Sequence, residues 1–67
     1  MMDKYYCVSE KEPESEGEYR VMRRTIGNRP DFEDRCFFDR PDGRPRWRNR
    51  QGKVIVSVVG WYGPEQN

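Results

Sequence analysis

Residues 41–64 read PDGRPRWRNRQGKVIVSVVGWYGP, and this stretch decides the class of the protein. Pro41-Asp42-Gly43 is a turn: proline presets φ at the first corner, and Asp-Gly tolerates the unusual dihedral that follows. Residues 45–50 then alternate Arg46, Arg48 and Arg50 with Trp47 and Asn49, as a strand with two unlike faces does. Pro45 is restricted to the start of that strand or to an exposed edge. Gln51-Gly52 turns the chain again into the apolar run of residues 53–62. Strict alternation there places Val54, Val56 and Val58 on one side and Ile55, Val59 and Trp61 on the other, a strand apolar on both faces. Exposed, VIVSVV would invite aggregation, and Lys53 and Pro64 stand as its gatekeepers.

Working outward, residues 5–8 form a short aromatic and β-branched strand, and residues 18–25 alternate Tyr19, Val21 and Arg23 with Arg20, Met22 and Arg24. The Gly, Asn and Pro of residues 27–31 mark a turn, and Cys36, Phe37 and Phe38 centre a strand over residues 34–40. Residues 9–17 are polar and broken by Pro13 and Gly17, which predicts a loop with room for one helical turn over 9–16. No long helical period, repeat or low-complexity tract is present. The expected fold is a single domain spanning 1–67, mainly β, built as one small antiparallel sheet in a meander of about five short strands.

Size and composition set the energetic frame. A chain of 67 residues buries only about 60% of the surface its unfolded form exposes. Charged residues are 37% against 33% apolar, a balance that alone points toward disorder. Three Phe, four Tyr and two Trp offset it, because aromatic rings bury the most area per residue. A core of aromatics with Val and Ile is expected, and a homodimer would hide more apolar surface.

The net charge of +1 hides blocks: −4 over residues 3–18, +4 over 19–30, −3 over 31–42 and +5 over 43–53. Opposite blocks on neighbouring strands can pair across a sheet and fix its register. Cys7 and Cys36 are the only thiols. The N-terminal MMDKYYCV lacks the apolar core of an export signal, and no run reaches the length of a membrane span. The expectation is a cytoplasmic protein, not a membrane one, with free thiols.

Histidine is absent, which removes the commonest general acid/base and metal ligand, and two Cys without His cannot complete a zinc site in one chain. The acidic residues have no calcium-loop spacing, and the glycines form no phosphate-binding loop. An enzyme is not expected, and neither a metal nor a cofactor is implied. Two surfaces remain as candidates. Arg44, Arg46, Arg48, Arg50 and Lys53 form a basic strip; alternate strand residues lie roughly 6.5–7 Å apart, near the phosphate repeat of a single nucleic-acid strand. Arg20 and Arg24 could extend it, while Trp47 belongs to the opposite face and reads as a core anchor. Tyr5, Tyr6, Trp61 and Tyr62 come together if the first and last strands are neighbours, and an exposed subset would make a protein-binding patch.

The aromatic start at Tyr5 and Tyr6, E-K-E-P at 10–13, E-G-E-Y-R-V at 16–21, C-F-F-D at 36–39, isolated Trp47 and V-V-G-W-Y-G-P at 58–64 form a pattern across most of the chain. It resembles the short phage and bacterial proteins grouped as domain of unknown function 551. Val58 and Trp61 match the closing positions of that family and Pro13 its early proline, whereas Glu12 stands where the family commonly has Leu. The resemblance implies a small, mainly β intracellular protein, often encoded on phage or mobile elements, and carries over no catalytic residues. The expected function is a non-enzymatic phage or bacterial accessory role exerted by binding another protein. The alternative is a small nucleic-acid-binding module using residues 44–53.

Overall fold

A computed structural model describes residues 3–64; residues 1–2, part of the N-terminal stretch read above for an export signal, and 65–67 lie outside the described residues. Six strands, β1 (Asp3–Cys7), β2 (Gly17–Arg23), β3 (Phe32–Asp39), β4 (Arg46–Arg48), β5 (Val54–Ile55) and β6 (Val58–Pro64), form one sheet in the order β1-β6-β2-β3-β4-β5. Every neighbouring pair is antiparallel, so the mainly β, single-sheet class expected from the sequence is the class found.

Only β2 to β5 follow a meander. The apolar run of residues 53–62 is not one strand. It breaks at Val56 and Ser57, and β6 leaves the β4–β5 edge to insert between β1 and β2. Ser57 anchors the break: its carbonyl accepts from the Arg24 amide at 2.8 Å and its hydroxyl from Arg23 Nε at 3.1 Å. The β2–β6 register then shifts, with Met22 opposite Gly60 but Arg23 opposite Val58, so Val59 is a bulged extra residue. This corrects the simple alternation. Val58 and Trp61, three apart in sequence, are both buried in the core, while Val56 is 98% exposed.

Because β1 and β2 both run antiparallel to β6, they are parallel to each other with one strand between them. A parallel connection must return along the sheet, and residues 8–16 do so across one face. The segment opens with a turn in which the Cys7 carbonyl accepts from the amides of Glu10 and Lys11. It then lays Pro13, fully buried, over the sheet. The one helical turn among the described residues is 3-10 and lies at Pro41–Gly43 instead of within 9–16. There Asp42 takes φ 55° and Gly43 φ 78°, dihedrals that the Asp-Gly pair tolerates.

The covered face holds the core: Tyr6, Val21, Cys36, Phe38, Trp47, Val58 and Trp61, with Val8, Tyr19 and Ile55 packed against it. Trp61, 0% exposed, is its centre. Its indole stacks on Tyr6 at 4.6 Å and meets Tyr19 edge-on at 5.3 Å, and its Nε1–H donates to the Lys11 carbonyl at 2.9 Å. Three more bonds tie down the crossing segment. The Tyr19 hydroxyl donates to the Ser15 carbonyl, Arg40 Nη2 to the Pro13 carbonyl, and the Arg40 amide to the Glu16 carboxylate. The opposite face carries no covering layer among the described residues.

Two glycines of β6 give room to rings. A Cβ on Gly63 would run into the six-membered ring of Trp61, and a Cβ on Gly60 would strike the ring of Tyr5. Tyr5 is exposed on the outer face and can swing aside, whereas the Trp61 indole is held on all sides. Gly63→Ala is therefore expected to destabilise the fold by about 1–3 kcal/mol, and Gly60→Ala by distinctly less. Urea unfolding of the two variants checks this ranking, and a larger loss in Gly60→Ala contradicts it.

Candidate binding surface

The basic strip divides when folded. Arg46 and Arg48 emerge from β4 on the outer face, opposite Asp39 and Phe37 of β3. Both arginines grip one carboxylate. Arg46 Nε and Nη2 donate to Asp39 at 2.8 and 3.3 Å, and Arg48 Nη2 lies 3.1 Å from Asp39 Oδ2. The Arg46 hydrogen bond holds the Asp39 carboxyl below the ordinary carboxylate range and pushes the Arg46 guanidinium up. Arg44, Arg50 and Lys53 sit outside β4 with no carboxylate at ion-pair distance among the described residues. Trp47 is buried against Phe38, at 5.0 Å between ring centres, as the alternation of residues 45–50 requires.

The aromatic quartet divides too. The β1–β6 register sets Tyr5 opposite Tyr62 and Tyr6 opposite Trp61, so all four are neighbours, but the pleat sends the pairs to opposite faces. Tyr6 and Trp61 belong to the core, and the Tyr6 hydroxyl closes the strand end by donating to the Pro64 carbonyl at 3.0 Å. Tyr5 and Tyr62 face outward, their centroids 5.1 Å apart and tilted by 57°. Partial burial and the neighbouring Cys7 and Tyr62 push the Tyr5 hydroxyl above its usual pKa.

Register extends the outer pair into a row across four strands. Tyr5 faces Tyr62, Tyr62 faces Arg20, and Arg20 faces Arg35. The Arg20 guanidinium lies 4.1 Å above the Tyr62 ring, within cation–π range. Arg50 closes the row from just past β4, lining one polar cleft of about 310 Å³ with Arg20, Glu33, Asp34 and Arg35. Sequence blocks singled out Arg20 and Arg50 but not Arg35, which sits in an acidic stretch; only the β2–β3 pairing places it beside Arg20. Phe37, 45% exposed, and Val54, half exposed, continue the outer face toward the β5 edge.

Cross-strand pairing of the charge blocks is real. Arg20 meets Glu33 at 3.8 Å, Arg35 meets Glu18 at 3.7 Å, and Arg23 donates to Asp34 at 2.8 Å. The Arg23 bond holds the Asp34 carboxyl below its usual range, with the Arg35 amide donating to its other oxygen. Cys7 and Cys36 are free thiols on opposite faces, and burial pushes the Cys36 thiol up. Among the described residues no three metal-ligating side chains come together. At the far end of the sheet, Val8, Val58 and Val59 floor an open cleft of about 450 Å³ beside Ile26 and Val56, both nearly fully exposed. No protein-family model matches the chain, and neither the curated proteins nor the solved structures compared with it give a match.

The carboxylate shifts give a pH prediction. Asp34 and Asp39 have folded-state pKa values below their unfolded values near ~3.9, so the stability they add is present above that pH. It is lost as pH falls through their folded values. The urea midpoint should hold between neutral pH and about 5, then drop below about 4. Asp34→Asn should lower the neutral plateau and flatten the acid decline. An unchanged acid slope in this variant would show that the Arg23 bond does not set it.

Proposed function

We propose that this chain is a non-enzymatic binding module, a small phage or bacterial accessory protein of the cytoplasm, that engages another protein through the uncovered outer face of its sheet. The observation that carries the reading is the composition of that face. Tyr5, Tyr62 and Phe37 stand beside Arg20, Arg35, Arg46 and Arg48 with no layer over them, and Tyr, Phe and Arg are the side chains enriched at protein interfaces. The lack of histidine and the structural partners of each shifted carboxylate support a role without catalysis. The resemblance carried by Pro13, Val58 and Trp61 supports the phage or bacterial setting. A second reading, nucleic-acid contact through residues 44–53, retains Arg44, Arg50 and Lys53, but Arg46 and Arg48 are already engaged by Asp39.

Capture from bacterial lysate by the tagged protein, followed by rebinding of the purified captured protein, tests the first reading. Phe37→Glu should weaken rebinding at least tenfold, and Val56→Glu, at the far end of the sheet, should leave it intact. Rebinding indifferent to Phe37→Glu would overturn the outer face as the contact. Oligonucleotide binding across a salt series tests the second reading: three phosphate contacts give a log–log slope of roughly −2 to −3, whereas the protein-binding reading expects no measurable binding at moderate salt.

A further inference from the structure

We infer that the row Tyr5–Tyr62–Arg20–Arg35, with Arg50 at its end, is the docking site for an extended acidic segment of the partner protein. The inference rests on the reading of the outer face as a protein-binding surface and names the chemistry that the surface takes. Arg20 and Arg35 are directly opposed on β2 and β3, an arrangement in which like charges repel. A third guanidinium, Arg50, lines the same cleft without an ion-pair partner among the described residues. The counter-charges do not resolve this crowding. Glu33 and Glu18 approach Arg20 and Arg35 only at 3.8 and 3.7 Å, from side chains about half exposed, where ion pairs contribute little. Asp34, the remaining acid of the cleft, is hydrogen-bonded to Arg23 at 2.8 Å, and Arg50 acts on it only through space, without an ion-pair contact.

A carboxylate arriving between Arg35 and Arg50 would relieve the repulsion and leave water with two charge-assisted hydrogen-bond partners. Neighbouring strands lie roughly 4.8 Å apart, so Arg20 and Arg50, separated by β3, span roughly 10 Å. Alternate side chains of an extended peptide are roughly 6.5–7 Å apart, so two acidic residues in an alternating pattern bridge the three guanidiniums when the peptide crosses the strands. An apolar residue farther along that peptide, at the same alternation as the acids, then faces the Tyr5 and Tyr62 rings.

A nucleic acid fits the same row less well. The Arg20 guanidinium already occupies one face of Tyr62, and the 57° tilt of Tyr5 breaks the flat platform that successive bases need. Glu18 lies to one side of the row and Glu33 to the other along the strands. A continuous phosphate backbone would pass close to both, whereas isolated carboxylates confined to the row avoid them.

Fluorescence anisotropy tests the site with a fluorescein-labelled peptide that carries two glutamates and then a valine at alternate positions, with serine between them. Controls are the same peptide with glutamine for glutamate and an oligothymidylate of matched length. The glutamate peptide should bind at least tenfold tighter than either control. Arg35→Gln and Arg50→Gln should each weaken it about three- to tenfold, and Arg29→Gln, the same charge change in the loop after β2, should not. Thermal midpoints guard against misfolding: Arg35→Gln should hold or raise the midpoint because it removes a like charge facing Arg20. No binding of the glutamate peptide, equal binding of the glutamine peptide, tighter binding of oligothymidylate, or an equal loss in Arg29→Gln would each overturn the inference. If the peptide fails while Phe37→Glu still abolishes rebinding of a captured protein, the acidic chemistry falls and the protein-binding face stands. Indifference of rebinding to Phe37→Glu brings down the face itself.

Discussion

The hydrogen bond from the Trp61 indole to the Lys11 carbonyl, made inside a ring of aromatic contacts, is the constraint on which the rest of the molecule depends. With no Leu in the chain and roughly 60% burial available at this size, the core has no second layer of secondary structure to lean on. The crossing segment 8–16 supplies the missing layer. It is too short for a crossover helix and crosses as a loop, whose backbone groups need partners where it meets the core. Trp61 satisfies one of them, Tyr19 and Arg40 satisfy two more, and buried Pro13 brings no amide that needs a partner. With one face sealed in this way, no segment among the described residues covers the other.

That exposed face is where the charge pattern becomes informative. Pairing across its strands uses Asp39, Glu33 and Glu18 against Arg46, Arg48, Arg20 and Arg35, while Arg23 and Asp34 pair on the covered side, and together these contacts favour one register. Neutralisation is uneven. The Asp39 pairs are short, at 2.8 and 3.1 Å, while the pairs around Arg20 and Arg35 are long, and Arg50 has no carboxylate at ion-pair distance among the described residues. The weakly compensated cations therefore gather in the middle of the sheet beside Tyr62, not along the β4 strip.

Much of the fold is legible in the sequence because strands and turns are local. Alternation marks β2 and β4, Pro41-Asp42-Gly43 and Gln51-Gly52 mark turns, and the parity of Trp47 with the arginines places it in the core. The break at Val56-Ser57 was not legible. Nothing in VIVSVV distinguishes one long strand from two, and the choice is made by Arg23 and Arg24 bonding Ser57 from a distant strand. The candidate site was half legible for the same reason. Tyr5 and Tyr62 stand out in the sequence, but their separation from Tyr6 and Trp61, and the alignment of Arg35 with Arg20, follow from register, which composition and periodicity leave open.

Hydrogen exchange of the two indole N–H groups, followed by NMR, tests the central claim most directly. If the crossing segment seals the core through Trp61, its indole proton should exchange only through global unfolding, at the rate of the slowest backbone amides of β2 and β6. An indole proton of Trp61 that exchanges as fast as that of free tryptophan, while those amides stay protected, would contradict the account: the segment would not be the layer that closes this fold.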